Sequence, residues 1–158
     1  MIPLLVGLAV AVVLDVPFVP QAKDTCGAAA LAMVMRYWEV PASHDEIAAA
    51  LLEPQLQGIA GSRLEAFARE RGLTALAYKG DAAHLREYLA KGRPLIVAWR
   101  VAPDRYHNVV VVGFDPDRDE VLVNDPSEGA SRRVGSRAFE ERWSGAGHWT
   151  LLVLPARR

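Results

Sequence analysis

The sequence predicts an α+β fold in which an N-terminal helix packs on an antiparallel β-sheet. Two observations carry that expectation. Helical signals fill the front half of the chain, and β-branched runs, close enough in sequence to pair, fill the back half. The 158 residues suffice for one domain with a sizeable core. No repeat, low-complexity tract or long linker divides them, so residues 15–158 read as a single domain behind an apolar segment, residues 1–14.

That segment, Met1 to Leu14, has two readings. One is an export-signal core with Ala9-Val10-Ala11 as a weak cleavage site, although no Lys or Arg precedes it. The other is a buried strand leading into Asp15-Val16-Pro17. It is short for a transmembrane helix, so no stable membrane span is expected. Location follows the reading: exported or periplasmic for a signal, cytoplasmic for a strand.

The next element is a helix over the run from Ala28 to Trp38, rich in Ala and Met and without Gly or Pro. Asp24 or Thr25 is suited to cap it. Ser43-x-x-Glu46 and Ser62-x-x-Glu65 read as capping boxes of two more helices, the second stopping at Gly72. Asp81 caps a further helix carrying Leu85 and Leu89, which ends at Gly92. Strands are expected at Leu73–Tyr78, Pro94–Trp99, His107–Phe114, Glu120–Asn124 and His148–Leu154, with one helix, about Ser136–Trp143, among them. Trp38, Trp99, Trp143 and Trp149 read as core or cleft-wall residues.

Composition excludes several partner classes. A net charge of −1, without a basic patch beyond Arg132-Arg133 and Arg157-Arg158, argues against nucleic acid and anionic membranes. A single cysteine rules out an internal disulfide. No spacing suits zinc, and neither GxxxxGK nor GxGxxG occurs, so no metal or cofactor is expected. Asp115-x-Asp117-x-Asp119 mimics the start of a calcium loop. The sixth position is Glu120 and the twelfth Pro126, which leaves an acidic hairpin turn.

The lone cysteine, Cys26, falls in the first turn of its helix, where backbone N–H groups lack intrahelical partners and the helix dipole favours a thiolate. A thiol nucleophile needs a base, a group that orients the base, and donors for an oxyanion. Among the histidines, His107 at a strand start is the best base. His44 and His84 read as surface residues in first helical turns, and His148, beside Trp149, is the rival. If Phe114 pairs with Arg118 across the turn, His107 faces Asp125, and that carboxylate can accept Nδ1–H, leaving Nε2 for Cys26. Asn124 competes with Asp125 for the orienting role. Gln21, five residues before Cys26, has an amide that can donate to an oxyanion. Gly27 either permits close approach at the thiol or is simply a tolerated glycine at a helix start.

These residues resemble the bacteriocin-processing, double-glycine type of cysteine peptidase, in the papain-like superfamily. The likeness runs from Val16-Pro17-Phe18-Val19-Pro20-Gln21 through Cys26-Gly27-Ala28-Ala29-Ala30-Leu31-Ala32-Met33, resumes at His107–Phe114 and ends at Asn124-Asp125-Pro126. The resemblance implies a papain-like fold, with Cys26 as nucleophile, His107 as base, Asp125 as orienting acid and Gln21 as oxyanion amide. It implies a peptide or protein substrate with small residues, such as Gly-Gly, near the scissile bond. The Gln-to-Cys spacing looks more like stand-alone bacterial members than transporter-fused ones. Two other outcomes use the same residues: acyl transfer to another acceptor, and a non-catalytic peptide-binding module.

Overall fold

The computed structural model describes residues 10–157. Its elements are β1 (Val12–Val13), α1 (Cys26–Tyr37), α2 (His44–Leu51), a 3-10 turn (Pro54–Leu56), α3 (Gly61–Glu70), β2 (Thr74–Lys79) and α4 (Ala82–Ala90), followed by β3 (Leu95–Ala102), β4 (Arg105–Asp115), β5 (Glu120–Asp125), β6 (Gly129–Gly135), α5 (Ser136–Gly145) and β7 (Trp149–Leu154). The seven strands form one sheet in the order β2-β7-β3-β4-β5-β6, with β1 added on β4. Every pairing is antiparallel. The α+β expectation therefore holds.

Both faces of the sheet are covered, which is why β4 and β3 read as continuous apolar runs rather than alternating ones. Ile96, Val110, Val112, Leu151 and Val153 face one core, with α1, α2 and α3. Val97, Trp99, Val109, Val111, Phe139 and Trp143 face the other, with α4 and α5. Helix α1 is fully buried from Ala28 to Met35. Its small side chains let the backbone lie close to the sheet, so the N-terminus of α1 is held rigidly at the sheet's end.

Three local expectations need correction. The α3 helix starts at Gly61 with Ala60 as cap and no side-chain cap bond, so Ser62 lies inside the first turn rather than capping it. Ser43 and Asp81 do cap their helices, accepting from the N–H of Glu46 and His84. Strand β6, Gly-Ala-Ser-Arg-Arg-Val-Gly, was not expected, because its polar, glycine-flanked sequence carries no strand pattern. Of the N-terminal apolar segment, Val12 and Val13 form a strand, Val13 is exposed, and residues 1–9 lie outside the described residues. Gly113 admits that strand: a Cβ there would sit 2.3 Å from the Val12 carbonyl oxygen.

The largest correction is the β4–β5 register. Phe114 pairs with Val121 rather than Arg118, and Asp115 with Glu120. A bulge between Val111 and Gly113 then shifts the ladder by one, so that Val110 faces Asn124. Extended one step, this register sets Asp125 opposite Val109, diagonal to His107 on the same face. Without the bulge, Asp125 would oppose Val110, and the two side chains would leave opposite faces of the sheet.

Candidate active site

Cys26 is the first residue of α1, at the buried helix mouth the sequence predicted. Thr25 is the N-cap, yet its side chain makes no cap bond to the helix. Its hydroxyl turns back to the loop, donating to the Ala22 carbonyl at 2.9 Å and accepting from the Ala22 N–H at 3.0 Å. The expected capping of the helix by the Thr25 side chain is thus absent.

Strand β4 brings its residue Asn108 onto the thiol. The Asn108 N–H donates to Sγ at 3.4 Å, and its side-chain Nδ2 lies 3.9 Å away. Gly27 makes this approach possible: a Cβ there would stand 3.1 Å from both Asn108 Nδ2 and Leu64 Cδ1. Of its two sequence readings, close approach is the one the packing supports. Asn108 was not singled out in sequence, and its position directly after the base histidine was the available signal.

His107 and Asp125 meet as expected, but through the other ring nitrogen. Nε2 lies 2.7 Å from Asp125 Oδ1, with the two side chains 14% and 10% exposed. Nδ1 is therefore the nitrogen left for Cys26. The exchange follows from the diagonal register, which brings Asp125 to the far end of the ring. Ser127, also missed in sequence, completes the carboxylate. Its N–H and its hydroxyl donate to the same Oδ1 at 2.9 and 2.8 Å. An Asp-Pro-Ser turn is a common home for such bonds, which was the overlooked signal.

The electrostatics follow from these contacts. Burial pushes the Cys26 thiol up, but the hydrogen bond and charge of His107, with the N–H groups of Asn108 and Gly27, outweigh it and hold the thiol below its ordinary value. Burial pulls His107 down, but its bonds to Asp125 and Cys26 raise it to about 9. Burial likewise opposes ionisation of Asp125, and the bonds from His107 and Ser127 keep it low all the same. The three shifts together favour a thiolate–imidazolium pair beside a carboxylate at neutral pH.

Gln21 lies in the same cleft, and its N–H donates to the Pro126 carbonyl at 3.0 Å. This bond ties the loop before Cys26 to the turn after Asp125. The Gln21 Oε1 is buried without a hydrogen-bond partner among the described residues.

The remaining candidates separate cleanly. Asn124 is not the orienting group: its Nδ2 donates to the Val16 carbonyl and its Oδ1 accepts from the Ser131 N–H, a structural role. His148 pairs with Glu140 at 2.5 Å and stacks edge-on against Trp143, in a groove on the α4–α5 side of the sheet rather than at Cys26. His84 is exposed beside Asp81. His44 corrects the surface reading: its side chain is 14% exposed, and Nε2 lies 2.6 Å from the Thr25 hydroxyl. The acidic Asp115 turn is held by N–H groups of Asp117 and Arg118 and by the Arg133 guanidinium.

Around Cys26 and His107 opens a cleft of about 670 Å³. Its walls come from Leu56–Ala60 and from the β3–β4 turn through Tyr106, and exposed Leu56 and Tyr106 give it apolar lips. Trp99 is the tryptophan of this cleft, while Trp143 lines the groove on the other side. The arrangement can hold an extended polymer against a thiolate, with a protonated ring beside it.

The comparisons agree with this geometry. The model of the peptidase C39-like family matches residues 13–150. None of the curated proteins matches the sequence. A double glycine motif protease from an AMS/PCAT transporter, solved with its leader peptide, is similar in fold. It has TM-score 0.74 and 24% identity, covering 94% of this chain and 100% of that one. The peptidase domain of Streptococcus ComA, a bifunctional ABC transporter of a quorum-sensing pathway, matches at TM-score 0.74 and 23% identity over 87% of this chain and 97% of that one. The N-terminal peptidase C39-like domain of a toxin secretion ATP-binding protein from Vibrio parahaemolyticus matches at TM-score 0.66 and 18% identity, over 85% and 99%. With the family model spanning β1 to β7, this chain belongs to the peptidase C39-like family of cysteine-type peptidases.

Proposed function

We propose that the domain from Asp15 onward hydrolyses peptide bonds through a Cys26 acyl-enzyme. The observation that carries this reading is one cleft at the mouth of α1 that holds the Cys26 thiol and the His107 imidazole, with Nε2 of the ring bonded to Asp125 and the N–H of the next residue, Asn108, donating to Sγ. The Cys26 thiolate attacks the scissile carbonyl carbon, and the carbonyl electron pair moves onto oxygen. The Gln21 amide and the Cys26 N–H receive that oxyanion. As the tetrahedral adduct collapses, His107 gives its proton to the leaving amine, and the thioester remains on Cys26. Water then loses a proton to His107 and attacks the thioester, releasing the acid and restoring the pair. Asp125 stays ionised and holds the ring.

The substrate reading is a peptide with small residues at the bond cut. The leader peptide bound to the double glycine motif protease supports it. A diverse peptide library, incubated with wild type and Cys26→Ser and read by mass spectrometry, tests it. Cleavage by wild type alone, clustered after Gly or Ala, is expected. Turnover that survives Cys26→Ala would overturn the mechanism. Transfer to an added amine would make the protein an acyltransferase, and tight peptide binding with an unreactive Cys26 would make it a binding module.

A further inference from the structure

The loop from Gln21 to Thr25 joins the proposed oxyanion amide to the nucleophile, and its shape is costly to hold. Asp24 has φ +60, a left-handed conformation in a residue with a Cβ. The Thr25 N–H closes the turn on the Ala22 carbonyl at 3.3 Å, and the Thr25 hydroxyl braces it further. A hydroxyl has one proton and two lone pairs. Here the proton goes to the Ala22 carbonyl, one lone pair takes the Ala22 N–H, and His44 Nε2 at 2.6 Å fills the last position. Thr25 is 4% exposed, so it is closed to substrate. A second nucleophile built from Thr25, His44 and Asp45 is thereby excluded.

His44 reaches this hydroxyl from the first residue of α2, across nineteen positions of sequence. Helix α2 is anchored in the α1 core by Ile47 and Leu51, so the ring arrives on a fixed support. Its other nitrogen faces the exposed Asp45 carboxylate at 2.8 Å. By occupying the Thr25 hydroxyl, the contact keeps that side chain from capping α1. The N–H groups at the helix mouth stay open to an oxyanion.

We propose that His44 is a positioning residue of the oxyanion loop, setting Gln21 and the first-turn N–H groups of α1 through the Thr25 hydroxyl. This rests on the peptidase reading above. The thiol itself is held by His107 and Asn108, from another part of the chain, so loss of His44 separates oxyanion stabilisation from nucleophile activation.

The test compares His44→Ala and Thr25→Val with the conservative His44→Gln and Thr25→Ser, each checked for wild-type near-UV circular dichroism. Iodoacetamide reports the thiolate alone, because displacement at its saturated carbon creates no oxyanion. His44→Ala and Thr25→Val should lower kcat by about 10- to 100-fold, with KM and the alkylation rate within about twofold, as expected for a misplaced stabilising group. His44→Gln and Thr25→Ser should recover most of the loss. Should His44→Ala unfold, Thr25→Val gives the same reading. An unchanged kcat in a folded variant overturns the proposal, and so does alkylation that falls in step with kcat. A peptide aldehyde separates this from failure of the peptidase reading. Its carbonyl adds the thiolate to give a hemithioacetal whose oxygen sits where the oxyanion would, and it protects Cys26 from iodoacetamide without turnover. If no peptide is cleaved, the peptidase reading falls, and protection decides the loop. Protection of wild type and not of His44→Ala supports it, and equal protection overturns it.

Discussion

The imidazole of His107 is charged because Asp125 and Cys26 both reward the charge. Its folded value of about 9 lies above the roughly 6.5 of an unfolded histidine. Its contribution to stability is therefore complete below about 6.5 and is lost as pH rises through about 9. The same proton is needed by the leaving amine, so kcat/KM should hold a plateau whose upper edge lies near 9. Asp125→Asn removes the carboxylate charge and should move that edge to lower pH. A pH profile of the variant with an unmoved edge would contradict the assignment. Ser127→Ala should be milder, costing about fivefold in kcat/KM, the worth of one hydrogen bond near 1 kcal/mol. Steady-state kinetics on a cleaved peptide would measure it. That Cys26, His107, Asp125 and Gln21 share one cleft could be read from sequence because each is a chemically distinctive side chain at a constrained place. The ring nitrogen could not, since it depends on a bulge. Asn108 and Ser127 act partly through their backbone N–H groups, which any residue has.

At the level of elements, the β4 bulge sets the site's geometry. It rotates the end of the strand so that His107 and Asp125 share a face, and its one mark in Val-Val-Val-Val-Gly is Gly113, which signals a bulge or a close approach without fixing the register. Helix α1 was legible because an Ala- and Met-rich run without breakers has few other uses. Strand β6 was not, because it gains its stability from β5 rather than from its own side chains. Strand β1 depends on the missing side chain of Gly113. Gly113→Ala should drive a Cβ into the Val12 carbonyl and release β1 while the rest of the sheet stays paired. Hydrogen exchange at the Leu14 amide, bonded to the Val112 carbonyl, should then speed up sharply, with an overall cost of about 1–3 kcal/mol. Unchanged protection at Leu14 would count against the close packing.

For the whole molecule, the two cores that sandwich the sheet carry the stability, and α1 is the shared brace between core and chemistry. Leu31, fully buried in α1, should cost about 2–5 kcal/mol when replaced by Ala, read as a lowered denaturation midpoint. Cys26 alkylation in the still-folded fraction should change little. The division into helical and strand halves made the fold class legible. The strand order did not follow, because pairing partners far apart in sequence leave no local mark. Strand β7 shows this most plainly: it enters the sheet between β2 and β3, one strand in from the edge. A chain still emerging from the ribosome therefore has β2 and β3 without the neighbour that joins them. Among the described residues β2 joins the layer only through β7, so a chain cut short of Trp149 would lose two strands at once.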